Sequence, residues 1–429
     1  MTVRRLTFLS LSLSAALLTS AARADIPVVK TEDGQLNVGA MMQALGFGQR
    51  VNDPTADHNR AYLFIKEARF RANGNYQDFT FNAELALGGE DAIAATTGVS
   101  LGLLDLSVNL PLRFVNPQSY LKVGQFKVPY GRERLTYSGN AQFIDRSIQD
   151  LGFRVGRDVG AALTLQSGLF TVIAGVFTGG GRDVPPQHYL PERLGIPQVV
   201  ARLGVGNIDG DAYALADEPF ATSTKAAFFV NGIYTKDSTV GHSSVLNVKL
   251  IDKSILLNSN WNPYIAKGPL AQGEWWQLGA DAALRTPIGG GASLSAEAEV
   301  NWAGYSNTYG VVHSSGGRVQ AGVGLRPFEV ALRYAVLFPD ANFASGGHRA
   351  TGTQALQEIT PSATYFLEGR RLKLVAELPV LINTPVVTEN KVGSYVGVEL
   401  PDQLGLLAKG GTVGRQTVVE ARLMLQASF

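Results

Sequence analysis

The chain has 429 residues and contains no cysteine. This absence excludes disulfide bonds, thiolate metal sites, thiol nucleophiles and a lipid attached to an N-terminal cysteine. After residue 24 the chain also lacks any uninterrupted apolar stretch close to the roughly 20 residues that a membrane-spanning helix needs. An open sheet cannot span lipid, because its unpaired backbone groups would be unsatisfied there. If this chain crosses a membrane, it must form a closed barrel.

A strong net charge is missing as well. The chain has 37 Lys and Arg against 36 Asp and Glu, a formal charge of +1. Without Arg4, Arg5 and Arg23 of the N-terminal segment, 34 bases remain against 36 acids, a formal charge of −2. This balance gives no reason to expect nucleic acid as a partner.

The first 24 residues have the pattern of a signal peptide. Arg4 and Arg5 form a basic start, residues 6–18 are apolar or small, and Ala22, Arg23 and Ala24 form an A-x-A cleavage pattern. We expect export through this segment and a mature protein that begins at Asp25. A short N-terminal membrane anchor is the alternative.

Alternation with period two is the main structural signal. It is clearest at the C-terminus, where one set of positions is apolar and ends in an aromatic residue, while the interleaved set is largely polar. Successive side chains of a β-strand point to opposite faces, so this pattern predicts a strand with one apolar and one polar face. The apolar set is Thr417, Val419, Ala421, Leu423, Leu425, Ala427 and Phe429.

Similar strands recur along residues 25–429, separated by connections that are alternately short and long. Tight turns are predicted at residues 73–75, 116–117 and 167–168, and long connections at 47–59, 88–98, 129–156 and 178–197. This alternation is typical of outer-membrane barrels, which have short periplasmic turns and long extracellular loops. The sequence therefore predicts an all-β, transmembrane antiparallel β-barrel of about 16 strands, or 18 if residues 245–264 form a membrane hairpin.

Energetics predicts which way the charged side chains point. Arg or Lys on the lipid face near the midplane costs about 2–4 kcal/mol, so mid-strand cations should face the lumen. Aromatic residues near strand ends suit the interfacial girdles. The inward set is Arg69, Arg71, Lys122, Arg333, Lys373 and Arg422, and the girdle set includes Tyr62, Tyr76, Trp275, Trp302, Tyr334 and Phe429.

Signals for catalysis or bound cofactors are weak. The five histidines fall in loop-like segments without metal-ligand spacing, and the catalytic candidate is Ser243 beside His242, adjacent residues that would point to opposite faces of a strand. We therefore predict neither an enzyme nor a cofactor. One partial calcium-loop pattern has a glycine missing at its sixth position and no flanking helices. Its residues are Asn207, Asp209, Asp211 and Glu218.

The densest basic cluster lies in and beside the long connection 129–156. By loop parity this is the third extracellular loop, and such a loop can fold inward and narrow the lumen. Fixed cations at a constriction would concentrate anions, because low-dielectric walls focus the field. Equally, arginine–aspartate pairs could simply anchor the loop. The cluster comprises Lys122, Lys127, Arg132, Arg134, Arg146, Arg154 and Arg157.

The same stretch resembles the phosphate-selective porin O and P family. The resemblance rests on the run KVGQFKVPYG from Lys122 to Gly131, FIDRS from Phe143 to Ser147, RDVG from Arg157 to Gly160, and FTGGG from Phe177 to Gly181. It implies a 16-stranded barrel, a homotrimer, inward loops that form the constriction, and passive uptake of small anions such as phosphate.

We therefore predict a passive porin in the lipid of the bacterial outer membrane, biased toward anions. A non-selective or a non-conducting structural barrel is the alternative. The predicted constriction comprises Lys127, Arg132, Arg134, Arg146 and Arg157, and the predicted pore wall comprises Arg69, Arg71 and Lys122.

Overall fold

The computed structural model describes residues 25–51, 58–89, 101–153, 155–178, 196–206, 220–236, 274–307, 310–338, 355–388, 395–396 and 412–429. The predicted signal peptide and residues 245–264 lie outside these ranges. Within them the chain forms nineteen strands, two short helices and a 3₁₀ turn. They are β1 (Ile26–Lys30), β2 (Gly34–Val51), β3 (His58–Tyr76), β4 (Phe79–Gly89), β5 (Gly102–Pro111), β6 (Tyr120–Lys127), α1 (Arg132–Leu135), the 3₁₀ turn (Ser138–Asn140), α2 (Ile148–Phe153), β7 (Arg157–Ser167), β8 (Phe170–Phe177), β9 (Ile196–Gly206), β10 (Lys225–Lys236), β11 (Glu274–Gly289), β12 (Ala292–Asn307), β13 (Gly310–Leu325), β14 (Phe328–Phe338), β15 (Leu356–Glu368), β16 (Leu372–Glu377), β17 (Val380–Thr388), β18 (Tyr395–Val396) and β19 (Thr412–Ser428).

The described strands close into an antiparallel barrel with sixteen positions in its wall. Each strand from β2 to β15 pairs with the next, and β19 pairs with β2 to seal the ring. The strands β16 and β17 share one position, because both pair with β15 on one side and with β19 on the other. The short β1 pairs with the first residues of β2, and the short β18 pairs with the last residues of β17, so neither adds a position to the wall. Since β10 pairs directly with β11, the 18-strand alternative is wrong.

The predicted two-faced C-terminal strand is confirmed in β19. From Thr417 to Phe429 the apolar set is outward and largely exposed, whereas Glu420, Arg422 and Gln426 are buried on the lumen side. The terminal Phe429 exchanges backbone hydrogen bonds with Ala40 of β2, so the chain terminus forms part of the seam. The mid-strand cations predicted to face inward do so, and each is buried or partly buried.

Two β-bulges change the predicted faces. Strict alternation would put Lys66 on the same face as Ala68 and Phe70, toward lipid. A bulge at Lys66 instead places Lys66 and Glu67 side by side in the lumen. A second bulge places Leu104 inside beside Asp105, although strict alternation would put Leu104 on the same outward face as Leu106 and Val108. Each bulge shifts the parity by one residue, which the hydrophobic pattern alone does not reveal.

Several turn and girdle predictions also need correction. Residues 73–75 lie inside β3, and the turn falls at Gln77 and Asp78. Gly74 is required by packing instead, since a Cβ there would overlap the carbonyl oxygen of Gln35. Trp275 faces inward and is buried. Tyr62 stacks on the inward-facing Phe47, with ring centroids 6.3 Å apart.

The long connection between β6 and β7 enters the lumen as predicted. We call residues 128–156 the inner loop; it carries α1, the 3₁₀ turn and α2. Ile148 and Phe153 of α2 pack against Ala335 and Leu337 of β14. Other apolar clusters join Val128 and Tyr130 to β8–β11, and Ile144 to β2, β16 and β19. The inner loop is thus packed against the wall on several sides. Among the described residues, no helix is long and apolar enough to cross a membrane.

The lipid-facing position of Leu423 gives a test of the barrel orientation. Leu423→Arg should lower the free energy of unfolding by about 2–4 kcal/mol, because it puts a cation near the bilayer midplane. Leu423→Ala keeps the face apolar and should cost much less. Urea unfolding of the protein in phospholipid vesicles measures both. Equal losses for the two variants would contradict the assigned orientation.

Candidate functional site

Ion pairs hold the first part of the inner loop against β9 and β11. The Arg132 Nε donates to Asp281 Oδ1 at 2.9 Å, and Arg202 of β9 forms two hydrogen bonds to the same carboxylate, at 2.6 and 3.0 Å. The side chains of all three residues are at most 1% exposed. Phe229 lies beneath both guanidinium groups. Asp281 therefore neutralises two buried arginines and anchors the loop.

Glu133 anchors the next turn of the loop to β13 and β14. Its carboxylate lies 3.1 Å from Arg318 Nε and 3.5 Å from Arg333 Nη1. It also accepts hydrogen bonds from the backbone N–H and the hydroxyl of Ser147, at 2.8 and 2.6 Å. Burial alone would raise the pKa of Glu133, but Arg318, Arg333 and Ser147 outweigh it and lower the pKa below its ordinary value. Glu133 is therefore ionised at neutral pH.

The later part of the loop is held by β3, β15, β16 and β19. Asp145 lies 3.0 Å from Lys66 Nζ and 2.7 Å from Arg422 Nη1. Wall carboxylates accept backbone hydrogen bonds from the loop, from Ile144 to Glu377 at 2.5 Å and from Ile148 to Glu358 at 2.7 Å. The wall strands thus satisfy polar backbone groups that a buried loop would otherwise leave unpaired.

An open space lies between the inner loop and the wall. Four cationic and three anionic side chains line it. Lys66 pairs with Asp145, while Arg318 and Arg333 share Glu133. The fourth cation, Arg146, has no carboxylate of the described residues within ion-pairing distance, and its Nε donates only to the Glu133 carbonyl at 3.4 Å. The charged lining residues are Lys66, Arg146, Arg318, Arg333, Glu133, Asp145 and Glu297.

The five residues predicted to form the constriction occupy different environments. Only Arg146 lines the open space. Arg132 is the buried anchor described above, and Arg134 lies 3.5 Å from Asp150. Lys127 donates to the backbone carbonyls of Leu135 and Thr136 at 3.2 and 3.0 Å. Arg157 binds Asp105 at 3.0 and 3.1 Å and Glu84 at 3.3 Å. Arg132 and Lys127 therefore join the inner loop to the wall, whereas Arg134 makes its contact within the loop and Arg157 makes its contacts within the wall.

The predicted wall residues line the periplasmic half of the lumen. Arg69 and Arg71 lie over the ring of Tyr137, at 5.7 and 5.3 Å from its centroid, and burial raises the pKa of that tyrosine to about 12. Arg71 also binds Asp25 at 2.6 Å. Lys122 lies over Phe126 at 4.8 Å.

Three lining residues, Lys66, Arg318 and Glu133, are not among those that the sequence predicts at the constriction. Lys66 reaches it only because of the bulge in β3. Arg318 and Glu133 come together across 185 residues of chain, through barrel closure and the path of the inner loop. For the wall residues, the local signal in the sequence is a charged residue inside an alternating strand. This signal predicts that the side chain faces the lumen, but it predicts neither the height of the side chain along the pore nor its ion-pair partner.

The described residues do not support either a metal site or a catalytic site. No group of three potential metal ligands occurs among them, and the calcium-loop candidate Asn207, Asp209, Asp211 and Glu218 lies outside the described ranges. The pair His242 and Ser243 also lies outside them. The expectation that all histidines lie in loops is wrong for His58, which begins β3, and for His313, which lies within β13.

The closed sixteen-position wall, its apolar exterior and the loop across its lumen are the features of the β-barrel fold that outer-membrane porins have. Solved structures with this fold include the channel DcaP of Acinetobacter baumannii (TM-score 0.54, 12% identity, covering 94% of this chain and 99% of that one). They also include OprB of Pseudomonas putida (0.53, 10%, 92% and 94%) and OmpF of Salmonella typhi in complex with daunomycin (0.51, 11%, 94% and 100%). At such identities the likeness concerns the fold.

A model of the family described as phosphate-selective porin O and P matches residues 37–195. This match confirms the resemblance seen in the sequence motifs and includes the whole inner loop. A search of curated protein sequences found no significant match.

The anchor at Asp281 predicts a large loss of stability when its charge is removed. Asp281→Asn leaves Arg132 and Arg202 without their shared counter-ion, so the free energy of unfolding should fall by about 3–5 kcal/mol. The matched control is Asp78→Asn, which removes the carboxylate of the exposed pair with Arg113 and should cost about 0–1 kcal/mol. Urea unfolding in vesicles compares them. A small effect at Asp281 would show that the pair does not hold the loop.

Proposed function

We propose that this protein is a passive porin for small hydrophilic solutes and that its constriction favours anions. The observation that carries this proposal is the guanidinium of Arg146, which lines the open space beside the inner loop and has no carboxylate partner among the described residues. The other lining cations have carboxylate partners, so their fields are largely cancelled. Arg146 gives the lining an excess of one positive charge.

The size of this bias follows from electrostatics. A unit charge in water attracts an ion 4 Å away by about 1 kcal/mol, which is about a fivefold change in local concentration. Low-dielectric walls focus the field and increase the effect, whereas salt screens it beyond about 10 Å at 0.1 M. One uncompensated arginine therefore produces a moderate preference that leaves the anion free to depart, as conduction requires.

Phosphate is the anion to test first. The matching family is described as phosphate-selective, and the match includes Arg146. A guanidinium offers planar, paired donors that suit phosphate oxygens. The charges around the open space are nearly balanced, which supports a moderate preference for anions rather than strict selection of phosphate.

A non-conducting barrel is the second candidate, and the packing of the lumen supports it. The inner loop buries apolar clusters against several parts of the wall, and many lumen-facing polar side chains are almost completely buried. Such packing narrows the path for solute. Single-channel conductance distinguishes the two candidates, because a blocked barrel would conduct no current.

Reversal potentials in a planar bilayer test the role of Arg146. In a chloride gradient near 0.1 M salt, Arg146→Gln should lower the anion-to-cation permeability ratio by up to about fivefold, while Arg146→Lys keeps the charge and should retain most of it. The control Arg113→Gln removes a cation at an exposed turn and should change nothing. An unchanged ratio in Arg146→Gln, or a cation-preferring natural protein, would refute the anion bias without refuting the porin.

We also propose that the protein assembles as a homotrimer, which the family resemblance supports. Light scattering of the protein purified in mild detergent, corrected for bound detergent, should give three chains per particle. A single-chain mass under conditions that preserve the folded barrel would exclude this assembly.

A further inference from the structure

An aromatic cluster stands on the outer surface of β10–β13. Backbone pairing places Tyr234, Trp276, Gly304 and His313 in one row across four neighbouring strands. Trp302 lies two residues below Gly304, and its ring meets that of Trp276 edge-on, with centroids 4.9 Å apart. The His313 ring lies 6.0 Å from Trp276 and 6.4 Å from Trp302. We call Tyr234, Trp276, Trp302 and His313 the outer aromatic cluster.

Gly304 makes this arrangement possible. Its position lies between Trp276 and His313 in the row, and the Trp276 indole lies across it. A Cβ at Gly304 would overlap three atoms of that indole. The missing side chain therefore lets the indole bridge toward its neighbours on the next strands. Trp302 remains 52% exposed and His313 is exposed, so the cluster presents open aromatic surface.

The cluster lies at the boundary between lipid tails and head groups. Below it on β12 the outward positions are apolar, at Leu294, Ala296, Ala298 and Val300. From Leu294 to Trp302 the strand rises about 26 Å, or about 20 Å along the membrane normal after tilt, close to the apolar band of about 25 Å. Directly above the row, outward Lys236 lies opposite Glu274 in the backbone register of β10 and β11, and the Tyr234 hydroxyl donates to Glu274 at 3.0 Å.

The cluster is confined to one side of the barrel and therefore differs from a uniform girdle. The same extracellular end of the other half carries exposed leucines and valines among its described residues. They are Leu63, Leu87, Leu103, Val159, Val176 and Val199. Lipid anchoring alone would not require aromatic rings to be concentrated on β10–β13.

We infer that the outer aromatic cluster binds the sugar head group of a glycolipid in the outer leaflet. The face of a sugar ring presents C–H groups with partial positive charge, which suit the negative faces of exposed aromatic rings. The tyrosine–carboxylate pair and the imidazole next to the rings supply partners for sugar hydroxyl groups. Because the row lies between the apolar band and two charged residues, Lys236 and Glu274, an amphipathic glycolipid can contact both regions at once.

Native mass spectrometry of the purified protein in detergent provides the test. The natural protein should retain added lipid A, a glucosamine-based glycolipid, more tightly than phosphatidylglycerol, an anionic lipid without a sugar ring. Trp302→Leu keeps the surface apolar but removes a stacking face, and Gly304→Ala displaces the Trp276 indole while removing no aromatic ring. Each should weaken lipid A binding by about two- to tenfold, the range expected for loss of an aromatic contact.

Phe338→Leu is the matched control, since it removes an exposed aromatic ring near the same end of β14, outside the cluster. Lipid A binding should not change in this variant. Circular dichroism and channel conductance confirm that each variant is folded; if Gly304→Ala fails to fold, Trp302→Leu alone decides. Equal retention of both lipids, unchanged lipid A binding in Trp302→Leu, or a change of oligomeric state in place of lipid loss would overturn the inference. The last result would identify a second copy of the chain as the occupant.

Discussion

The exclusion of charge from lipid is the constraint on which the rest of this structure depends. A membrane tolerates neither unpaired backbone groups nor mid-strand cations, so the sheet closes and the charged side chains turn inward. The bulge at Lys66 shows the strength of this constraint, because the strand gives up regular pairing rather than expose the ammonium group to lipid. The lumen then holds many charges at close quarters, and most of them form pairs.

Those pairs determine the path of the inner loop. Asp281, Glu358 and Glu377 on the wall bind the loop, while Arg318, Arg333 and Arg422 on the wall bind its acidic residues. Most of the basic residues that loop composition alone would assign to ion selection are therefore engaged by carboxylates or backbone carbonyls, either between loop and wall or within one of them. Selectivity depends on the charge that remains after pairing, which places Arg146 rather than Arg132 or Arg157 at the centre of the functional question.

The exclusion of charge from lipid also determines the composition of the outer surface. Lipid accepts any apolar side chain, so the outward positions are free to vary, and most carry Leu, Val or Ala. A packed group of aromatic rings over a glycine, which in the described part of the barrel occurs on one side, is more specific than lipid contact requires. It extends the functional surface from the lumen to the membrane boundary.

The entry of the 129–156 connection into the lumen was implied by the family resemblance and not by any pattern within the connection. The sequence by itself determined the class of fold, the inward direction of the mid-strand cations and the two-faced C-terminal strand. These features follow from period-two patterning and from the cost of charge in lipid, both of which are local. Only the tertiary structure decided the bulges at Lys66 and Leu104, the shared position of β16 and β17, and the pairing of Arg132 with Asp281 and of Glu133 with Arg318. These ion-pair partners are far apart in the chain and meet only when the barrel closes. Local hydrophobic patterning does not indicate which strands lie opposite the loop.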